Sequence, residues 1–476
     1  MISPQPLPST SGSPSERRAV SFFRERTGPE LSGLCDGDFW CKLVLQAAHA
    51  DAGLRHAVVA LAAVHEDFEG GDLNGRNATF ALRQYNLAIG KHLEVLLASN
   101  GPTLDEYLAP CIVFICIELM QHHYGSAVSL VMRAVRMFDK ASIKDQNRSA
   151  WPIKFFQSLL SRLQVQALGL AGPTAVGSIV APQAAQPPSI PKVFSSVAEA
   201  AACFEAYTNI EQLYAAARSD RGNPPGRHAS PLMQRSNEQR WVEYLEAWTA
   251  AFDGLLRNTD YTTLTPGEQN VADALQMRCL MLQVAIGVKV LKPQYLRSGT
   301  TMPDDQTLWD GYESNYAQIV ELGERVVRRI AATSTETTGP SSTPTVKSLF
   351  TLELGLVGPL YDTARCCRHP IIRRRAIAVL RTNPCQEGLW DSRLAARVAE
   401  RVMLLEEREM PPALFGSDVS MQASSAQISR ASRISGAVPV FDLDRRRARI
   451  RYTHAEPDWD GTGVSADKVL EEIIEW

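Results

Sequence analysis

What the sequence lacks narrows it first. None of its nine cysteines stands in a Cys-x2-Cys pair; Cys35, Cys41, Cys111, Cys116, Cys203, Cys279, Cys366, Cys367 and Cys385 are scattered. Structural zinc sites commonly use that spacing to present two thiolates to one tetrahedral ion, so zinc ribbons, zinc fingers and thioredoxin-like motifs find no support. No metal ligand is assigned. Several of these cysteines lie in apolar runs, where a free thiol behaves as a small hydrophobe, and reduced thiols in the cytosol or nucleus are expected. Cationic excess is missing as well: 49 Lys plus Arg stand against 52 Asp plus Glu, a formal net charge of -3. A surface built throughout to coat nucleic acid would carry the opposite balance, because such binding neutralises phosphates. The most apolar run, Leu108 to Met120, is interrupted by Pro110 and Glu118. It is too short for a hydrocarbon core of roughly 30 Å, so no membrane partner is expected. Met1 to Arg18 is polar and rich in Ser and Pro, without the apolar stretch of a secretory signal.

The common signatures of catalysis are absent too. There is no G-x4-G-K-[ST] loop, no G-x-G-x2-G turn after a strand, no G-x-S-x-G elbow and no H-E-x2-H pair. No catalytic residue, cofactor-binding residue or cofactor is therefore assigned, and the chain is not expected to be an enzyme.

Helical periodicity is what remains. Leu54, Val58, Leu61, Val64 and Phe68 recur at steps of three and four, as do Leu82, Tyr85, Ile89, Leu93 and Leu96. Phe39 to Ala48 reads as a short helix, and Leu104 to His122 with Tyr124 to Lys140 as a helical hairpin. Further helices are expected at about Ser149 to Leu170, Val197 to Arg218, from Pro231, and from Thr265-Pro266-Gly267-Glu268, which has the form of a capping box. Three more follow at about Thr345 to Cys367, Pro370 to Arg381 and Trp390 to Glu409. Val438 to Tyr452 has strand character and predicts a two-stranded hairpin turning near Asp444-Arg445. The chain's end, from Ser465, reads as a short helix. The fold class is all-α: an irregular array of paired helices with one small C-terminal β-hairpin. Residues 1–19 are expected to be a disordered N-terminus, 20–455 one helical domain with internal linkers near 171–192, 333–344 and 411–436, and 456–476 a tail.

Four groupings carry possible chemistry. Glu118 and His122, four apart, share a helix face beside His123, a pattern that suits a metal or acid–base work but suits a hydrogen-bonded helix end better. His65 falls beside an apolar stripe and reads as a core or rim histidine. Cys366-Cys367 reads as two reduced thiols, since adjacent cysteines rarely close an unstrained disulfide. Two arginine runs, Arg373-Arg374-Arg375 and Arg445, Arg446, Arg447, Arg449 and Arg451, form candidate basic patches for phosphate or nuclear import, set against a solvated face balanced by Asp442, Asp444, Glu471, Glu472 and Glu475.

One resemblance adds to these readings. FFRERTGPELSGLCDGDFWCKLVLQAAHADAGLRHAVVALAAVHE (Phe22 to Glu66) resembles the opening of the regulatory domain of fungal binuclear zinc-cluster transcription factors, in the subgroup called the fungal-specific transcription factor domain of the second type. ALRQYNLAIGKHL (Ala81 to Leu93), CIVFICIELMQHHYGSAVSLVMRAVRMF (Cys111 to Phe138), IIRRRAIAVLRTNPCQEGLWDSRLAARVAE (Ile371 to Glu400) and VFDLDRRRARIRY (Val440 to Tyr452) agree with it in kind and order. The resemblance implies a nuclear, all-α regulator of a secondary-metabolite gene cluster. Its implied partners are other transcription regulators or co-regulators and a small-molecule effector, with DNA reached only indirectly or non-specifically. The family's six-cysteine cluster has no counterpart in the residues ahead of Phe22, so no zinc ligand or base-contacting residue is carried over. The competing expectation is a helical enzyme or small-molecule-binding accessory protein of a biosynthetic cluster.

Overall fold

A computed structural model describes residues 12–33, 36–70, 75–97, 103–141, 149, 151–176, 188–220, 231–298, 307–337, 348–353, 355–408, 424–425, 428–429, 432–442, 447–454 and 469–475. The chain divides into two compact units, the first comprising Met1–Gln164 with Lys347–Leu352, the second Val165–Val346 with Glu353–Trp476. The fold is all-α with small sheets.

In the first unit, α1 (Pro14–Phe22) begins inside the stretch expected to be disordered. Ser13 and Glu16 close a capping box there: the Glu16 N–H donates to Ser13 Oγ at 3.3 Å and the Ser13 N–H to Glu16 Oε2 at 2.8 Å. Two orphan donors are thereby satisfied, which starts a helix despite the Ser/Pro-rich surroundings. A π-helical turn (Phe23–Thr27) leads to α2 (Gly28–Ser32); a second (Phe39–Leu43) leads to α3 (Val44–Ala50). The helix α4 (Ala52–Glu69), N-capped by Asp51 on the N–H groups of Gly53 and Leu54, packs against α1, α3, α5 (Ala78–Leu96) and α6 (Leu104–Met120). Apolar almost all round, α6 buries every residue from Leu108 to Met120, as a helix enclosed by others must. It pairs with α7 (Tyr124–Lys140), so the expected hairpin is present. The short strand β1 (Leu349–Thr351) belongs to this unit; Phe350 is fully buried, its ring edge-on to Phe68 at 6.0 Å.

The helix α8 (Ile153–Val176) carries the chain onward and runs six residues into the expected 171–192 linker. The second unit then contains α9 (Val197–Asp220), α10 (Pro231–Asn258), α11 (Pro266–Ser298) and α12 (Glu313–Thr337). The last of these extends five residues into the expected 333–344 linker; extending a formed helix costs little per residue compared with nucleating one. Most of that linker, and most of 411–436, lies outside the described residues. Thr265 and Glu268 form the expected capping box at the head of α11. Residues Pro266–Val290 are long and apolar enough to cross a membrane, yet most of that stretch is buried inside the protein. Its Asp273, 1% exposed, is held by Arg325 at 3.3 Å and Arg329 at 2.9 Å, the pattern of a helix packed in a protein core.

The single helix expected from Thr345 to Cys367 is instead β1 followed by α13 (Val357–Cys366). The break has a distant cause. Glu387 accepts the N–H groups of Gly355 at 2.9 Å, Leu356 at 2.6 Å and Val357 at 3.1 Å, satisfying the orphan donors at the start of α13. Next come α14 (Pro370–Thr382), the antiparallel strands β2 (Cys385–Glu387) and β3 (Trp390–Asp391), and α15 (Ser392–Glu406). Trp390, expected to open the last helix, is thus a strand residue, and Asp391 caps α15 on the Leu394 N–H at 2.7 Å.

The C-terminal part corrects two expectations. β4 (Ile434–Asp442) and β5 (Arg447–His454) form the expected hairpin, but the short helix expected from Ser465 is the strand β6 (Val469–Glu475), antiparallel to β5. The small element is a three-stranded sheet. Its Ile434, Ile450 and Tyr452 pack on Leu394, Val398 and Val402 of α15, which gives the hairpin the helical support that an isolated pair of strands needs.

Candidate functional site

The two arginine runs were the sequence's strongest candidates, and the fold places them in different settings. On α14 the buried face comprises Ile372, Arg373, Ala376, Ile377, Val379 and Leu380, so Arg373 stands in an apolar stripe and is 0% exposed. Its Nη2 donates to Glu406 Oε2 at 2.7 Å. Arg368, 1% exposed, donates Nε at 3.2 Å and Nη2 at 3.1 Å to Glu406 Oε1, and the Ile434 N–H reaches the same oxygen at 2.9 Å. Burial alone would raise the Glu406 carboxyl's pKa; the two guanidinium charges and the Ile434 N–H outweigh it, and the group lies below its ordinary value. Arg374 pairs with Glu407, and Arg375 clamps Glu324 with two bonds of 2.9 Å. This run therefore ties α14 to α12 through Glu324 and to the end of α15 through Glu406 and Glu407, and Glu406 in turn holds the start of β4.

The second run lies on β5. Alternation sends Ile450 and Tyr452, both 0% exposed, to the core and turns Arg449 and Arg451 outward, their side chains 63% and 58% exposed. Glu471 of β6 stands between these two: Arg451 Nη2 is 3.2 Å from its Oε1, and Arg449 Nη1 is 3.8 Å from its Oε2. Arg447 is in register with Asp442 on one side and Glu475 on the other. Glu472 is met by Arg401 of α15 at 2.6 Å. Arg445 and Arg446 lie outside the described residues. The outward face of β5 thus offers two solvent-exposed guanidiniums that share one carboxylate, a geometry that attracts anions weakly and sensitively to salt.

At the end of α6 the structure regroups the expected residues. His122 takes φ +58 and closes a Schellman cap: the His123 N–H donates to the Glu118 carbonyl at 2.8 Å and the His122 N–H to that of Leu119 at 2.9 Å. Because the helix stops at Met120, the imidazole that reaches Glu118 is that of His123, Nδ1 to Oε2 at 3.0 Å, while His122 Nδ1 meets the Tyr124 hydroxyl at 3.0 Å. Tyr85 donates to Glu118 Oε1 at 2.6 Å; burial, with this carboxylate beside it, pushes the phenol well above its usual range.

His65 is 0% exposed, with Nδ1 against Thr27 Oγ1 at 3.0 Å and Nε2 3.3 Å from Glu30 Oε1. Glu30, His65 and Glu69 each bring one donor atom within 4.8 Å of the others, as a metal ion would require, and sequence reasoning had not joined them. Protein donors already hold the two carboxylates: Glu30 Oε1 accepts the Phe350 N–H at 2.7 Å, and Glu69 Oε1 accepts Arg26 at 2.8 Å. Cys366 and Cys367 are buried free thiols, both pushed up by burial, Cys367 to about 12, which suits packing better than reactivity. The other described cysteines are free as well.

With this geometry in hand, comparison with known proteins is informative at one point. The chain is 24% identical, over 97% of its own length and 82% of the relative's, to the aspercryptin biosynthesis cluster-specific transcription regulator atnN of Emericella nidulans. That relative is named as a transcription regulator, not as an enzyme. No family model and no solved structure matches the chain.

Proposed function

We propose that this protein is a nuclear transcriptional regulator of a fungal secondary-metabolite gene cluster, a member of the fungal-specific transcription factor domain family, acting through its helical surface and protein partners. The observation that carries the reading is similarity along almost the whole chain to a protein named as a cluster-specific transcription regulator. Similarity of that extent covers both compact units and not one shared module. The mode of action is supported by the arginines. Those of α14 are engaged by Glu406, Glu407 and Glu324, and the outward pair on β5 shares Glu471. Specific readout of DNA needs side chains delivered to base edges by an element that fits a groove. The described residues of these runs present guanidiniums to carboxylates instead. Contact with a promoter is then made by a partner, another transcription regulator or co-regulator, and a small-molecule effector is the signal such a platform would receive.

Transcript profiling of a deletion strain tests the proposal. A coherent group of neighbouring biosynthetic genes is expected to change together. Unchanged transcripts alongside a missing metabolic step would replace this reading with an enzymatic one.

A further inference from the structure

Eight large apolar side chains are exposed among the described residues, and four of them, Leu82, Leu87, Leu93 and Leu97, lie on α5 or its C-cap. The helix buries Ala81, Gln84 and Ala88 toward its neighbours. On the side turned to solvent, Leu82, Asn86, Gly90, Leu93 and Leu97 follow one another at steps of three and four. At about 100° per residue they fall within an arc of roughly 80°, a single uncharged stripe. The exposure of Leu82, Leu93 and Leu97 is 58%, 50% and 83%. Gly90, in the middle, has no atom within 4 Å of where a Cβ would stand, so the stripe has a low point where another backbone can approach. Charge borders the stripe along one flank, with Arg83 near one end and Glu94 near the other.

We infer that a second copy of this chain docks on this face, α5 against α5, antiparallel about a two-fold axis passing beside Ala88 and Ile89. The charge pattern selects this occupant. A two-fold axis perpendicular to both helices keeps the charged flank on the same side in each copy, so Arg83 of one meets Glu94 of the other, twice. The same axis sets Leu82 between Leu93 and Leu97 of the second copy and Asn86 near Gly90, each pairing centred within about one residue of the axis. A parallel arrangement about a two-fold axis would carry the two charged flanks to opposite sides of the interface, leaving Arg83 and Glu94 without a charged counterpart across it. Glu94 already contacts Lys91 at 2.9 Å, but its side chain is 66% exposed and stays accessible to a second cation. A single helix face falls short of the roughly 800 Å² per partner of a standard stable interface, so the association is micromolar and concentration-dependent. The inference rests on the surface of the first unit and holds whether or not the regulatory reading does.

Sedimentation velocity of the full chain from about 1 to about 100 µM is the test. The mass is expected to rise toward twice 52.4 kDa. Arg83→Glu and Glu94→Arg each place like charges across the axis and are expected to weaken association about tenfold, whereas the double variant restores it to within about threefold. Leu93→Glu removes it. All four positions changed here or paired with them are at the surface, and circular dichroism confirms that the variants fold. A chain that stays monomeric at the highest concentration overturns the inference. So does a dimer indifferent to Arg83→Glu and Glu94→Arg.

Discussion

Arg373-Arg374-Arg375 and the β5 series Arg447, Arg449 and Arg451 have similar charge density, and the fold uses them in opposite ways. On the helix, successive side chains diverge by about 100°, so three adjacent arginines meet three different settings: Arg373 is sealed inside with Glu406, while Arg374 and Arg375 find Glu407 and Glu324 at the rim. On the strand the period is two, so Arg449 and Arg451 emerge on one face, over the single acid Glu471. A run of like charges therefore says little about function until its period is known. The helical run is part of the core, and the strand run is a surface.

The largest expected effect comes from Arg373→Ala. It removes one of the two guanidiniums on a buried carboxylate, and losing a partner from such a cluster typically costs about 3–5 kcal/mol, against a total stability of about 5–15. Urea unfolding should show a large drop in midpoint; a change within 1 kcal/mol would mean that water reaches Glu406. Next, Ile450→Ala, which empties the packing beneath the sheet, should cost about 2–4 kcal/mol in the same measurement. The contrast between Ile450 and its outward neighbours is the strand's alternation read as energy.

Acid should separate the two arginine settings as well. The Glu406 carboxyl lies below its ordinary 4.5 in the folded chain. Its contribution is present above the unfolded value and is lost as pH falls through the folded one, so thermal stability should decline below about pH 4.5, and Glu406→Gln, itself destabilised, should show a flatter profile. An unchanged slope in that variant would assign the acid sensitivity to other carboxylates. The smallest effects belong to Arg449→Ala and Arg451→Ala, expected to cost less than about 1 kcal/mol each and less still at high salt.

Much of the architecture was legible in the sequence because its signals are local. The stripe Leu54, Val58, Leu61, Val64 and Phe68 and the Thr265/Glu268 capping box need only their own neighbours, and both appear where expected. Ser13/Glu16 has the same signature and was hidden by Ser- and Pro-rich surroundings. What was not legible depends on distant partners. Gly355 to Val357 start a helix because Glu387 caps them from beyond α14. Val469–Glu475 has apolar pairs compatible with a helix and becomes a strand by pairing with β5. Arg373 carried a readable signal, standing three and four residues before Ala376 and Ile377 on the buried stripe, but a charged residue there reads as surface until Glu406 is in view. Of the histidine pair, spacing selected His122, and the left-handed turn that ends α6 brought His123 to Glu118 instead.

On the function proposed above, this helical chain regulates through protein partners, and the described arginines of its two runs are engaged by carboxylates. Fluorescence anisotropy of the purified full chain with a promoter from its own gene neighbourhood, alongside a scrambled duplex at near-physiological salt, tests that most directly. Equal, weak affinity for the two duplexes, falling steeply as salt rises, is the expected result. Tight binding to the promoter alone, resistant to competitor DNA, would contradict it.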